Sequence, residues 1–183
     1  NPYQKGIVML RDLVKEVHQE AENSPFAQLL MSGNISNNQY ANYLYQQEAV
    51  YTALERRADE LGLLNDIQSI RRAKRITLDF VNIAQEQYNL FDSIKQYCTY
   101  VKSINQQQCW AHIYVRHFGD MYGGNMIRKL IPGQGKMYEF KDKGKLITYV
   151  RSKLSDDMQD EAKLVFRYAI DLFKELESVY DLG

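Results

Sequence analysis

Two short stretches hold the residues whose types and spacing could do chemistry. The first is Tyr114-Val115-Arg116-His117-Phe118-Gly119-Asp120-Met121-Tyr122-Gly123-Gly124, which sets three glycines and one carboxylate inside a helical pattern. A glycine inside a helix costs about 1 kcal/mol relative to alanine. Three of them imply that something flat and bulky approaches the backbone closely. His112, Arg116 and Asp120 recur at every fourth residue and form one polar line, with Gly119, Gly123 and Gly124 on or beside it. An Arg116–Asp120 ion pair on an open surface would be worth under about 1 kcal/mol. Asn125 to Leu130 continue the helical pattern, so the glycines read as a kink and not an end.

The second stretch surrounds His18, one turn from Val14 and from Glu22, on the border of an apolar stripe. A histidine there is most often an ordinary hydrogen-bonded side chain. Glu22 adds a reason to read it as a ligand, because a carboxylate on the second ring nitrogen orients a metal-bound imidazole. Arg11, two turns earlier on the same face, would meet an anionic group. One helix then offers a histidine ligand, and another offers bare backbone and an acid. That pair suits haem b (iron protoporphyrin IX), held by one axial ligand, His18, with the opposite iron site open to dioxygen.

The elements that must position these residues are helical throughout. Leu10, Leu13, Val14, Val17 and Ala21 mark a first helix ending near Asn23, and Pro25 opens a short second one. Ser36 caps a long third helix with an inner stripe of Tyr40, Tyr43, Leu44, Gln47, Tyr51, Leu54, Ala58 and Leu61, closed by Gly62. A fourth helix after Asn65 faces Ile67, Ile70, Ala73, Thr77, Val81 and Ala84 inward, and a shorter fifth covers residues 86–100. The glycine-bearing helix runs from about Ser103 to Leu130 and stops at Ile131-Pro132-Gly133. A turn-rich stretch to Gly144 precedes a helix over Lys145–Leu154. Ser155 caps the last helix, whose face is Met158, Ala162, Val165, Ala169, Leu172, Leu176 and Val179. No strand-like alternation, repeat or dividing linker competes, so residues 1–183 read as a single all-α domain of seven or eight helices.

Composition agrees. The chain has 183 residues, 45% apolar, which suits one core. Lys plus Arg equals Asp plus Glu at 23 each, so nothing pulls the whole molecule toward nucleic acid. Cys98 and Cys109 are too few for a disulfide framework, and a reducing, cytoplasmic setting is the expectation. No membrane-spanning run is present, and Asn1 to Lys5 lack an apolar signal core, although a targeting segment removed beforehand is compatible with this start. Fourteen tyrosines are expected mostly at helix interfaces, hydroxyl at the rim.

Lys15-Glu16-Val17-His18-Gln19-Glu20-Ala21-Glu22-Asn23 resembles the proximal-helix motif of haem oxygenases, and Gly119-Asp120-Met121-Tyr122-Gly123-Gly124 resembles their distal-helix motif. Ala49-Val50-Tyr51-Thr52-Ala53-Leu54-Glu55 is similar to the family's third-helix segment, and the likeness runs from about Leu10 to Glu177. The resemblance implies a helical bundle with haem between a proximal and a kinked distal helix. It implies that His18 is the iron ligand, with Glu22 near its outer nitrogen. Gly119, Gly123 and Gly124 would let the distal helix lie against the haem, and Asp120 would order distal water together with Arg116 and Tyr51. Tyr114, Arg11 and Arg151 match positions that meet haem propionates. Two positions depart from the pattern: Tyr122 stands where the family commonly has serine, and Ile147 where it often has a propionate-binding lysine.

The activity implied is cleavage of haem by dioxygen to biliverdin, carbon monoxide and ferrous iron, with the alpha isomer as the default. Electrons would come from a partner, ferredoxin being the expectation for the short forms the chain is similar to, and a bilin reductase could take the product. Arg56, Arg57, Arg71, Arg72, Lys74 and Arg75 form a basic cluster that is either a solvated face or a docking site for an acidic donor, and Lys141, Lys143 and Lys145 form a weaker one. Two rivals stand beside this reading. A haem carrier without turnover explains His18 but not Asp120 among glycines. A thiaminase-like enzyme would need an activated cysteine nucleophile.

Overall fold

The computed structural model describes residues 10–183; the reading of Asn1 to Lys5 lies outside the described residues. After a helical turn at residues 10–13, eight α-helices follow among the described residues: α1 (Lys15–Glu22), α2 (Pro25–Leu30), α3 (Asn37–Glu60), α4 (Ala73–Ile83), α5 (Asp92–Val101), α6 (Gln106–Arg128), α7 (Lys143–Arg151) and α8 (Gln159–Val179). Short 3-10 turns occupy Gln68–Ile70, Lys136–Tyr138 and Asp156–Met158. None of these elements is a strand, and no described helix is long and apolar enough to cross a membrane.

Local chemistry sets the helix ends. Ser36 and Gln39 form a reciprocal capping box at the start of α3, and Asn105 and Gln108 form another at the start of α6. Gly62 takes a left-handed φ of 71° just past α3, and the Leu63 N–H returns to the Ala58 carbonyl at 2.9 Å. Pro25 occupies the first turn of α2, and the Phe26 N–H donates to the buried Glu177 of α8 at 3.1 Å.

Helix α3 is the hub. It packs against α4, α5 and α6, while α8 closes the bundle over α1, α2, α5 and α6. The expected inner stripe of α3 is buried from Tyr40 to Ala58, and burial extends to Asn42 and Gln46 on its flank. Those two amides are usable inside because they are paired: Gln46 donates to Asn42 Oδ1 and to the Asn89 carbonyl, both at 2.9 Å, and accepts from the Phe91 N–H at 3.1 Å.

That pairing corrects the fifth helix. Gln46 holds the segment before α5 by its backbone, so the segment is not helical and α5 begins at Asp92 instead of residue 86. The fourth helix also starts late, because Glu55 accepts the N–H groups of Arg72 and Ala73 and fixes the helix start there. Its inward face is Ile76, Asp79 and Ile83; Thr77 and Val81, expected inside, are exposed. Val179 likewise lies on the surface, at the end of α8. Helix α7 runs two residues earlier at its start and three earlier at its end than the spacing predicts, and a 3-10 turn separates Ser155 from α8.

Arg72 leaves the basic cluster altogether. It is fully buried and donates to the carbonyls of Ser69, Ile70, Met137 and Glu139 at 2.8, 3.1, 2.9 and 2.6 Å, with its guanidinium 3.6 Å from the Phe140 ring centre. Asp79 accepts from the Lys136 and Met137 N–H groups, both at 2.9 Å. These two buried charges clamp the loop after α6, and that loop delivers Tyr138 to the glycine helix.

Candidate functional site

The helical pattern of α6 runs through Gly119, Gly123 and Gly124 without a break. The three glycines nevertheless face different things. A methyl group added at Gly119 would meet nothing within 4 Å, and at Gly123 it would lie 3.6 Å from the end of Ile127. At Gly124 it would lie 3.0 Å from Tyr138 Cδ1 and 3.1 Å from its Cβ. Gly124 is therefore a packing glycine, required by the clamped loop, whereas Gly119 is bare backbone facing open space. Alanine substitution separates the two. Gly119→Ala is expected to stabilise the ligand-free protein by about 1 kcal/mol through helix propensity. Gly124→Ala is expected to destabilise it by about 1–2 kcal/mol, because Tyr138 is buried and cannot swing away. Urea unfolding of the ligand-free chain reads both, and equal effects would erase the distinction.

Beside that open wall sits Asp120. The Tyr51 hydroxyl of α3 donates to its carboxylate and also lies 3.2 Å from the Arg116 carbonyl. Burial pushes the Tyr51 phenol well above its ordinary range, so it is the donor of the pair. Burial also pushes Asp120 up to about 6, against the pull of the Tyr51 hydrogen bond and of Arg72 and Arg116.

Arg116 does not form the surface ion pair its spacing allowed; among the described residues it makes no salt bridge with Asp120. Its Nε donates to the Tyr97 hydroxyl at 2.9 Å, and its guanidinium carbon lies 4.2 Å from the Tyr97 ring centre. The Tyr97 hydroxyl meets His112 Nδ1 at 2.8 Å, and His112 Nε2 meets Glu161 Oε2 at 2.8 Å. Burial lowers the His112 pKa despite Glu161, while hydrogen bonds from His112 and Tyr100 overcome burial to hold Glu161 low. The proton directions follow: Arg116 donates to Tyr97, Tyr97 to a neutral His112, and His112 Nε2–H to the Glu161 carboxylate. Sequence spacing placed His112 and Arg116 on one line but missed Tyr97 and Glu161. Both come from other helices, and only a buried histidine needing two partners hints at them.

On α1, His18 Nε2 contacts Glu22 Oε1 at 2.9 Å, and the ring stacks on Phe166 of α8 at 5.1 Å between centres. Glu22 thus holds one ring nitrogen. A different side-chain rotamer of His18, with Nδ1 toward Glu22, would be needed to free Nε2 for a metal. The other two histidines are committed inside: His117, whose pKa burial lowers to about 3, contacts the Ile113 carbonyl through Nδ1 at 3.1 Å. Among the described residues, no three His, Cys, Asp or Glu side chains converge as a metal cluster.

A third group gathers around Tyr114. Burial raises its phenol; Arg11 lowers it, Tyr122 raises it and Arg151 lowers it, so all three reach its hydroxyl electrostatically. Tyr114, Phe118 and Tyr122 form an edge-on aromatic ladder along α6, with centres 5.2 and 5.8 Å apart. Arg151 Nη2 donates to the Tyr122 hydroxyl at 2.7 Å. Ile147, one turn before Arg151, is packed against the core and offers no donor. Two cations beside an aromatic ladder and a bare glycine wall fit a flat apolar ligand with carboxylates at one edge, which is the chemistry of haem.

A family model described as heme oxygenase matches residues 7–175. The heme oxygenase of Guillardia theta is 26% identical over 205 residues, spanning 94% of this chain and 86% of that protein. The structure of heme oxygenase-1 from the cyanobacterium Synechocystis in complex with heme superposes with a TM-score of 0.78 at 22% identity, over 92% of this chain and 90% of that one. Heme oxygenase-2 from Synechocystis, in complex with heme and NO, gives a TM-score of 0.81 at 21% identity, over 98% of this chain and 86% of that one. The matched stretch takes in His18, Tyr51, Asp120, the three glycines and Arg151, and the chain belongs to the haem oxygenase family.

Proposed function

We propose that the chain binds haem b and cleaves it with dioxygen to biliverdin IXalpha, carbon monoxide and ferrous iron. The observation that carries this is Asp120, held by Tyr51 beside a glycine whose backbone faces open space. His18 would hold the iron, with Glu22 orienting the ring; Arg11, Tyr114 and Arg151 would take the propionates; Gly119 and Gly123 would leave room for the porphyrin. Bound haem supplies the iron that takes up dioxygen and electrons, and its own ring is what is cut. Asp120 does not need to touch oxygen. As a carboxylate it accepts from water and turns the water's O–H toward the reacting site. Arg116 and Tyr51 hold that carboxylate's charge and direction.

Electrons come, in this reading, from ferredoxin, in a cytoplasmic setting. With Arg72 inside, Arg57 turned to the Ile104 carbonyl and Glu60, Arg71 paired to Asp59 and Arg75 to Glu139, the exposed cations left in the first cluster are Arg56 and Lys74; Lys141 and Lys145 remain in the second. Release of biliverdin to a bilin reductase, and one functional unit over residues 1–183, belong to the same proposal. The thiaminase-like rival loses its nucleophile, since burial pushes Cys109 up to about 12 and Cys98 upward as well.

Haem titration followed by turnover with ferredoxin, ferredoxin reductase and NADPH tests the whole reading. Loss of the Soret band with growth of biliverdin absorbance, resolved to one isomer by chromatography, is the expected result. A stable haem complex that yields no bilin would leave the carrier reading instead.

A further inference from the structure

The Tyr122–Arg151 contact lies on the surface, at the open end of the aromatic ladder. Tyr122 is 60% exposed, so its ring is not there to fill the core. Its phenol oxygen accepts from Arg151, which leaves the phenol O–H without a partner among the described residues. The guanidinium makes no other hydrogen bond and no salt bridge among the described residues. The two side chains together therefore present spare N–H donors and one O–H donor at a single place, with no salt-bridged acid among the described residues. The half-buried Tyr114 feels Arg11, Tyr122 and Arg151 electrostatically, and Arg11 is itself exposed. The position one turn before Arg151, Ile147, is half-buried against the core and carries no donor.

We propose that Tyr122 and Arg151 act as one carboxylate clamp, Tyr122 donating its phenol O–H to a haem propionate while holding the Arg151 guanidinium in register. This rests on the haem reading above. An exposed arginine alone must freeze a long side chain to bind a carboxylate, which consumes much of the gain. A phenol that already fixes the guanidinium removes part of that loss before the ligand arrives. Tyr122 is itself placed by its edge-on contact with Phe118 on a rigid helix. The second donor beside Arg151 would thus come from Tyr122 on α6 and not from Ile147 on α7.

The test compares haem with haem dimethyl ester, whose propionates carry no charge, on the full chain. Tyr122→Phe keeps the ring and removes only the hydroxyl. Its affinity for haem is expected to fall about 3- to 10-fold, with affinity for the diester unchanged. Arg151→Gln is expected to fall further on haem, and the double variant to lose less than the product of the two single losses, because both groups serve one carboxylate. A Tyr122→Phe variant that binds haem as tightly as the wild type overturns the clamp. Equal loss on haem and diester also overturns it, since that would be ring packing. A wild-type chain that binds neither ligand overturns the haem reading itself and the clamp with it.

Discussion

Asp120→Ala is expected to bind haem within about threefold of the wild type and to form biliverdin at least about 100-fold more slowly, the usual loss when one group aimed at a reacting centre is removed. Binding survives because the carboxylate makes its described hydrogen bond to Tyr51 and leaves the glycine wall untouched. Turnover fails because a methyl group cannot hold water. The same carboxylate sets a pH dependence. Burial holds Asp120 at about 6, so its charged form is lost as pH falls through 6, and turnover should fall with it. Tyr51→Phe removes a hydrogen bond that favours the charged form and should move that midpoint upward. Stability runs the opposite way. The native pKa lies above the ordinary 3.8, so between about 4 and 6 the native state binds more protons than the unfolded one, and this group's contribution to stability falls as pH rises. Asp120→Asn should therefore raise the melting temperature at pH 8 more than at pH 5, by about 1–2 kcal/mol of stability after solvent screening. Normal turnover by Asp120→Ala would remove the water-holding role; an unaltered pH profile in Tyr51→Phe would remove the coupling.

What could be read from the sequence follows how local each cause is. Ser36 with Gln39, Gly62 after α3 and Pro25 before α2 act within a few residues of themselves, so their helix ends are legible. The start of α5 is not, because it is set by Gln46 reaching the backbone near Asn89 from another helix. Arg72 reads as one more surface cation until Met137 and Glu139 bring their carbonyls to it. The glycines show the same division inside the site. Spacing alone treats Gly119 and Gly124 alike, and only the approach of Tyr138 separates a packing glycine from an open wall. Motif resemblance points to Asp120 and Tyr51, but the pull of burial against Arg72 on the carboxylate needs the tertiary structure.

His18→Ala is expected to change the ferric haem spectrum outright and to cut turnover at least about 100-fold, with little effect on the ligand-free fold. The reasoning starts from exposure. The His18 and Glu22 side chains are 47% and 63% exposed, so the pair between them contributes under about 1 kcal/mol to folding. Deleting it should leave the ligand-free melting temperature nearly where it was. Neither other histidine can take over. Both ring nitrogens of the fully buried His112 are bonded, to Tyr97 and Glu161, and His117 is buried behind Tyr51 with its pKa lowered to about 3. A large spectral change with an intact fold can therefore come only from the iron ligand. Glu22→Gln makes the assignment sharper. It keeps a polar partner for the ring but loses the charge that makes the imidazole a stronger donor, and should weaken haem binding about 10-fold, toward the lower end of what such partners contribute. Phe166, stacked on the imidazole, restrains the ring plane in Glu22→Gln, so that variant reports charge and not ring orientation. An unchanged ferric spectrum in His18→Ala would mean that the iron is held elsewhere, and the proximal side of the site would have to be sought on another helix.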